Sequence, residues 1–190
     1  MLFRSMPVEV QIQTANDPVT TRVDVTGKSS EFSINSPVRP INVVIDPNNR
    51  VLKYNNTIRE RVAIARGEQA VAQRDYPQAL EEYQKALDVN KTSSLAQYRV
   101  GEVFYQLRNY QSAANAFRAA LNGNLDPAWT EVWSHLSLGK IFDITGQRDR
   151  AVNEYQQAIR TKDNTQGAID LANQYLKTPF ERVSQTEASD

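Results

Sequence analysis

The sequence predicts an α+β chain in two parts, a small antiparallel β-sandwich of about five strands followed by a superhelix of paired α-helices. Three observations predict it. Up to about Tyr54, apolar side chains alternate with polar ones, the period of a strand with one buried face. Beyond Tyr54 the period becomes helical, and Ala, Gln, Glu, Arg and Leu, all good helix formers, dominate. A set of small and aromatic residues then recurs along the helical part with an interval of 34 residues between its first two occurrences. The predicted division is a sandwich over residues 1–54, a helical domain over 56–177 and a flexible tail over 178–190.

The strands come first. Val8, Val10 and Ile12 point one way while Glu9, Gln11 and Gln13 point the other. The same reading fits Arg22–Thr26, Ser30–Ile34, Ile41–Ile45 and the short Arg50–Lys53. Between them lie turn-forming groups: Asn16-Asp17-Pro18, Gly27-Lys28, Ser36-Pro37 and Asp46-Pro47-Asn48-Asn49. Strands recurring at about this spacing read as a sandwich. Five short strands make a thin core, so the sandwich is expected to be incomplete, with an open hydrogen-bonding edge near Val8–Thr14 that favours self-association.

The helical part contains three aligned segments. They carry Gly67, Tyr76, Ala79, Tyr83 and Ala86; then Gly101, Tyr110, Ala113, Phe117 and Ala120; then Gly139, Arg148, Ala151, Tyr155 and Ala158. The first two glycines are 34 residues apart and the next two 38, which places four extra residues in the second connection, within Asn122–Thr130. A mid-helix glycine costs about 1 kcal/mol against alanine, so all three are expected where paired helices approach too closely for a side chain. Residues Thr165–Leu176 read as one amphipathic capping helix, with Ile169, Leu171, Ala172 and Tyr175 on its apolar face, ended by Pro179.

This pattern over roughly Asn56–Lys177 resembles the tetratricopeptide (TPR) repeat family. It departs from the family at Ala63, Gln97 and His135, where a large side chain is common, and at Arg148, where the family favours tyrosine; Gly146 supplies the expected turn. The resemblance implies a concave groove lined by the first helix of each repeat. Carried over residue by residue, the second repeat offers Tyr98, Arg99, Glu102 and Tyr105. The third offers Leu136, Ser137, Lys140 and Asp143, with Trp133 near the rim. The first offers Ile64, Ala65, Glu68 and Val71. In that reading a protein or peptide partner lies in the groove, Arg99 and Lys140 hold acidic groups, and Tyr98, Tyr105 and Trp133 give apolar contact. The three aromatics equally suit packing between repeats or against the sandwich. One family subclass clamps a peptide carboxylate with a set of Lys, Asn and Arg residues; that full set is missing, so chaperone-tail binding is not expected.

Residues 3–12, Glu31-Phe32, residues 40–47 and Val51-Leu52-Lys53 resemble the end of the immunoglobulin-like sandwich of aminopeptidase-N-type zinc metallopeptidases. The resemblance implies a bacterial, exported or periplasmic parent whose catalytic domain lies upstream. The alternative is a free-standing adaptor with a small accessory β-domain. Neither reading makes this chain an enzyme.

Composition excludes other classes. The 190 residues carry 22 basic and 22 acidic side chains, so the balanced surface exerts no long-range pull on nucleic acid. There is no cysteine, which removes disulfides and thiolate metal sites. No apolar run approaches the ~20 residues of a membrane span, and the opening MLFRSMPVEV lacks a signal peptide's apolar stretch. The single histidine, His135, cannot supply a His-Glu-x-x-His zinc motif, and no nucleophile elbow or phosphate-cradling loop occurs. Asp46-Pro47-Asn48-Asn49 has too few ligands for calcium and reads as a turn. No cofactor or metal is expected.

Overall fold

A computed structural model describes residues 5–26, 29–48, 50–51 and 55–182. The chain divides into two compact units, residues 1–54 and 55–190.

The first unit is a three-stranded antiparallel sheet, β1 (Met6–Gln13), β2 (Val19–Val25) and β3 (Asn42–Ile45), in the order β2-β1-β3. Val8, Val10 and Ile12 form its buried row. Register sets Val8 opposite Val23, Val10 opposite Thr21 and Ile45, and Ile12 opposite Val19 and Val43, so the alternation read from the sequence lands on one face.

The expected five-strand sandwich is not what forms among the described residues. Ser30–Ile34 is no strand: the Ser30 hydroxyl accepts from the Thr26 amide at 2.7 Å and donates to the Thr26 carbonyl at 2.9 Å, a local loop that ties it back to the end of β2. Phe32, expected inward, stays 45% exposed. At Arg50–Val51 both amides donate to the buried Asp46 carboxylate, at 2.7 and 3.0 Å, so this stretch closes a turn instead of joining a ladder. The edge expected near Val8–Thr14 is also corrected: β1 is the central strand, paired on both sides, and β2 and β3 are the edges. Residues 1–4, the Gly27-Lys28 turn, Asn49, Leu52, Lys53, Tyr54 and residues 183–190 lie outside the described residues.

The second unit is a run of helix pairs: α1 (Asn56–Ala72) on α2 (Tyr76–Val89), α3 (Ser94–Gln106) on α4 (Tyr110–Leu121), and α5 (Trp129–Ile144) on α6 (Arg148–Arg160), with α7 (Ala168–Lys177) packed on α6 and α5. The first four begin at side-chain caps. Asn55, Asp75, Ser93 and Asn109 accept from the amides of Ile58, Gln78, Ala96 and Ser112. The expected single helix Thr165–Leu176 is broken: a 3-10 turn over Thr165–Gly167 leads through Gly167, at φ +75°, into α7.

The recurring glycines are the points of closest approach. A Cβ on Gly67 would stand 2.2 Å from the Tyr83 ring, one on Gly101 2.6 Å from Phe117 and one on Gly139 2.3 Å from Tyr155. These rings, with Ala79, Ala86, Ala113, Ala120, Ala151 and Ala158, are almost wholly buried. The longer second connection, residues 122–128, turns back on the start of α3. Ser94 Oγ accepts from the Leu125 amide at 2.8 Å, and Asn124 Oδ1 accepts from the Ser94 amide at 3.1 Å.

Candidate functional site

The first helices of the pairs, α1, α3 and α5, share one face, and two cavities lie along it. A cavity of about 380 Å³ is lined by Glu68, Val71, Tyr83, Arg99, Glu102 and Gln106, among others. A second, of about 180 Å³, is lined by Tyr98, Glu102, Tyr105, Trp133, Ser137 and Lys140, with Gln106 again at its wall. Glu102 and Gln106 border both, so the face is continuous across the second repeat. Helical spacing explains the set: Tyr98, Glu102 and Tyr105, and likewise Trp133, Ser137 and Lys140, follow one another at intervals of three and four.

Of the thirteen groove residues expected from the sequence, nine line these cavities: Glu68, Val71, Tyr98, Arg99, Glu102, Tyr105, Trp133, Ser137 and Lys140; Ile64, Ala65, Leu136 and Asp143 do not. The Asp143 side chain is 1% exposed. It accepts two bonds from Arg148 Nη1 at 3.0 Å, one from the Tyr155 hydroxyl at 2.8 Å and one from the Phe180 amide at 2.8 Å. Arg148 Nη2 in turn donates to the Tyr175 and Leu176 carbonyls at 2.8 Å, satisfying the C-terminal end of α7. The arginine that departs from the family pattern is therefore the clasp of the last helix. Leu136 and Ile64, expected to face the groove, are core residues.

The charges also arrange themselves differently from the expected acid-binding pair. Arg99 Nη2 meets Glu68 Oε1 at 2.7 Å and Arg99 Nη1 meets Glu102 Oε2 at 2.7 Å, while its guanidinium carbon lies 5.7 Å from the Trp129 ring centroid. One cation between two carboxylates leaves this cavity net negative. Lys140 Nζ is ringed by aromatics, at 5.7 Å from Trp133, 5.6 Å from Tyr175 and 5.3 Å from Phe180, and burial pulls its pKa down.

The aromatics divide between the two roles left open by the sequence. Tyr98 is 5% exposed and packs against Phe117 and Trp129, with ring centroids at 5.4 and 5.2 Å. Burial pushes its hydroxyl well above the usual phenol range. Tyr105 and Trp133 are half-buried; Trp133 Nε1 donates to the Thr165 carbonyl at 3.1 Å. His135 Nδ1 lies 2.7 Å from Glu154 Oε2, a bond between α5 and α6. Among the described residues no cluster of His, Asp and Glu could hold a metal, and no helix is long and apolar enough to cross a membrane.

Sequence reasoning missed three participants. Trp129 was not singled out. Phe180 and Arg182 fell inside the tail 178–190 expected to be flexible, yet the Phe180 ring meets Tyr175 edge-on at 5.2 Å and Arg182 Nη1 donates to the Tyr105 carbonyl at 3.2 Å. An aromatic and an arginine two apart, directly after a helix-ending proline, are the only sequence sign of this contact.

Residues 64–129 match a family model described as tetratricopeptide repeat, and residues 134–165 match a second of the same description. Both stretches lie in the helical unit; neither reaches residues 1–54, and the expected resemblance of those residues to a peptidase sandwich finds no support. No curated protein matches the chain. Solved structures share the fold. The Arabidopsis OM64 TPR domain has a TM-score of 0.56 at 16% identity, over 66% of this chain and 100% of that one. The TPR2B domain of yeast Sti1, in complex with pHsp70, has a TM-score of 0.56 at 13% identity, over 63% and 94%. The second TPR domain of human RPAP3, in complex with an HSP70 peptide, has a TM-score of 0.54 at 14% identity, over 65% and 99%.

Proposed function

The chain carries tetratricopeptide repeats, and from that premise we propose that it is a non-catalytic docking module whose α1-α3-α5 face holds an extended segment of a protein partner. The observation that carries this reading is the pair of neighbouring cavities that share Glu102 and Gln106 as a common wall, which together offer more room than a single side chain would fill. Tyr98, Arg99, Glu102, Tyr105, Trp133, Ser137 and Lys140 are the groove residues of this proposal; Asp143 lies beneath, its carboxylate accepting from the Phe180 backbone amide. The yeast and human structures named above hold Hsp70 partners. Here an acidic tail is disfavoured, because Arg99 is already neutralised by Glu68 and Glu102. A peptide of apolar and cationic character suits the net-negative cavity and the half-buried rings of Tyr105 and Trp133.

The test is a selection of displayed random peptides on the full chain, with the binding surface mapped by hydrogen exchange. Binders are expected to protect the amides of α1, α3 and α5 and to be poor in Asp and Glu. Binders that protect α2, α4 and α6 instead would overturn the reading.

A further inference from the structure

One stretch of the chain already lies on this groove. After α7 the backbone becomes extended at Thr178, with φ −129° and ψ 117°. Phe180 and Arg182 are half-buried while Pro179 and Glu181 are exposed, the alternation of an extended peptide read on one side only. Each inward residue has its own receptor. The Phe180 amide donates to Asp143 Oδ2 at 2.8 Å, and its ring sits between the Tyr175 edge and the Lys140 ammonium, at 5.2 and 5.3 Å. The Arg182 guanidinium lies over the Tyr105 ring at 5.2 Å and donates to the Tyr105 carbonyl at 3.2 Å and the Tyr110 hydroxyl at 3.3 Å. The segment thus runs from α7 past α5 to α3. Two of the residues it engages, Lys140 and Tyr105, line the second cavity.

Nothing in these contacts depends on covalent continuity with α7. They are one backbone bond to a carboxylate, one aromatic ring against aromatic and ammonium groups, and one guanidinium on a phenol, the elements by which a groove reads a separate peptide. We propose that the groove between the second and third repeats is a receptor for an extended protein segment bearing an aromatic residue followed two positions later by arginine, and that residues 180–182 occupy it as a resident competitor. This rests on the reading of the α1-α3-α5 face as a peptide groove and names the peptide. The receptor's chemistry sets the sequence. A carboxylate side chain in place of arginine would meet the Tyr105 carbonyl and the tyrosine ring face, both electron-rich, and an aliphatic side chain in place of phenylalanine would forgo the ammonium contact. Competition follows from the tether: a segment linked by so few residues faces its site at roughly millimolar effective concentration, so an outside peptide sees only the fraction of groove left open.

The test uses the full chain and a fluorescein-labelled peptide with the sequence of residues 176–182, Leu-Lys-Thr-Pro-Phe-Glu-Arg. Fluorescence anisotropy is expected to show it binding the F180A/R182A chain at least about tenfold more tightly than the unmodified chain, since the competitor is gone. Peptides with alanine in place of phenylalanine or of arginine are expected to lose about tenfold or more on that same variant. Equal binding to both chains, or an alanine peptide that binds as well as the parent, overturns the proposal. If the double variant loses its helical circular dichroism, Arg182→Ala alone, which keeps the Phe180 anchor, must still raise peptide affinity by about threefold or more. The two readings separate cleanly. Selected peptides that protect α3 and α5 but lack the aromatic-x-arginine pattern leave the groove standing and sink its proposed code. Peptides that never reach those helices sink both.

Discussion

At the residue scale, the glycines and the rings facing them decide how closely each helix pair can pack. Gly139 is the sharpest case because the Tyr155 ring opposite it cannot swing away: its hydroxyl is held by Asp143 at 2.8 Å. Gly139→Ala therefore destabilises the helical unit. Forcing a methyl group into a packed core costs about 1–3 kcal/mol, and the better helix former returns about 1 kcal/mol, so a net loss of about 1 kcal/mol is expected in urea denaturation. Stability equal to or above that of the unmodified chain would mean the helices part easily and the close approach is not a constraint. These positions were legible in the sequence because a glycine weakens a helix interior, and its return at a fixed interval points to close helix packing. The role of Asp143 was not. Its place one turn beyond Gly139 marks it as a groove residue by spacing, but what buries it is Arg148, Tyr155 and a backbone amide 37 positions away, a meeting that helical periodicity cannot announce.

At the element scale, α7 shows how little apolar burial can hold a helix when its polar ends are tied. Only Ala168 and Ala172 are fully buried on it, and alanines contribute little area. Its last carbonyls instead receive the Arg148 guanidinium, which is itself paired with the buried Asp143. Arg148→Ala removes both functions, leaving Asp143 with neutral donors alone and the end of α7 unsatisfied. The expected cost is about 2–3 kcal/mol, below the ~3–5 kcal/mol of a fully buried pair because Arg148 is 33% exposed. Hydrogen exchange should localise it: α7 amides lose protection well before those of α5 and α6. Unchanged protection of α7 would show that its packing on α6 suffices. The sequence announced an apolar helix here but extended it back to Thr165, because nothing in a hydrophobic stripe marks the left-handed Gly167 that starts α7. The strand expected at Ser30–Ile34 failed for a related reason. Alternation over five residues is short, and the Ser30 hydroxyl offers the Thr26 backbone a local partner that a ladder would have to displace.

At the scale of the whole molecule, the helical unit was legible and the sheet less so, since repeats supply three readings of one pattern whereas each short strand is read once. The repeated core also carries an alkaline liability. Desolvation raises the Tyr83 hydroxyl to about 12 and pushes Tyr98 and Tyr155 further, with smaller upward shifts at Tyr105 and Tyr175. In each case the fold retains a proton that the unfolded chain gives up near pH 10. The unfolded state then binds fewer protons than the native one, so this stability is complete below about pH 10 and is lost as pH rises toward 12. Lys140 works in the opposite sense: burial lowers its pKa, the folded chain sheds that proton first, and stability rises with pH between the folded value and the ordinary lysine value. One lysine against five tyrosines leaves the fall dominant. Thermal melts followed by circular dichroism at pH 8.5, 10 and 11.5 should therefore show a melting temperature that is level over the first interval and drops over the second. Tyr83→Phe is the informative variant, because Phe117 fills the corresponding place against Gly101 without a hydroxyl. It should leave the melt at pH 8.5 nearly unchanged and make the alkaline drop shallower; a drop as steep as before would mean that the buried phenols are not its source.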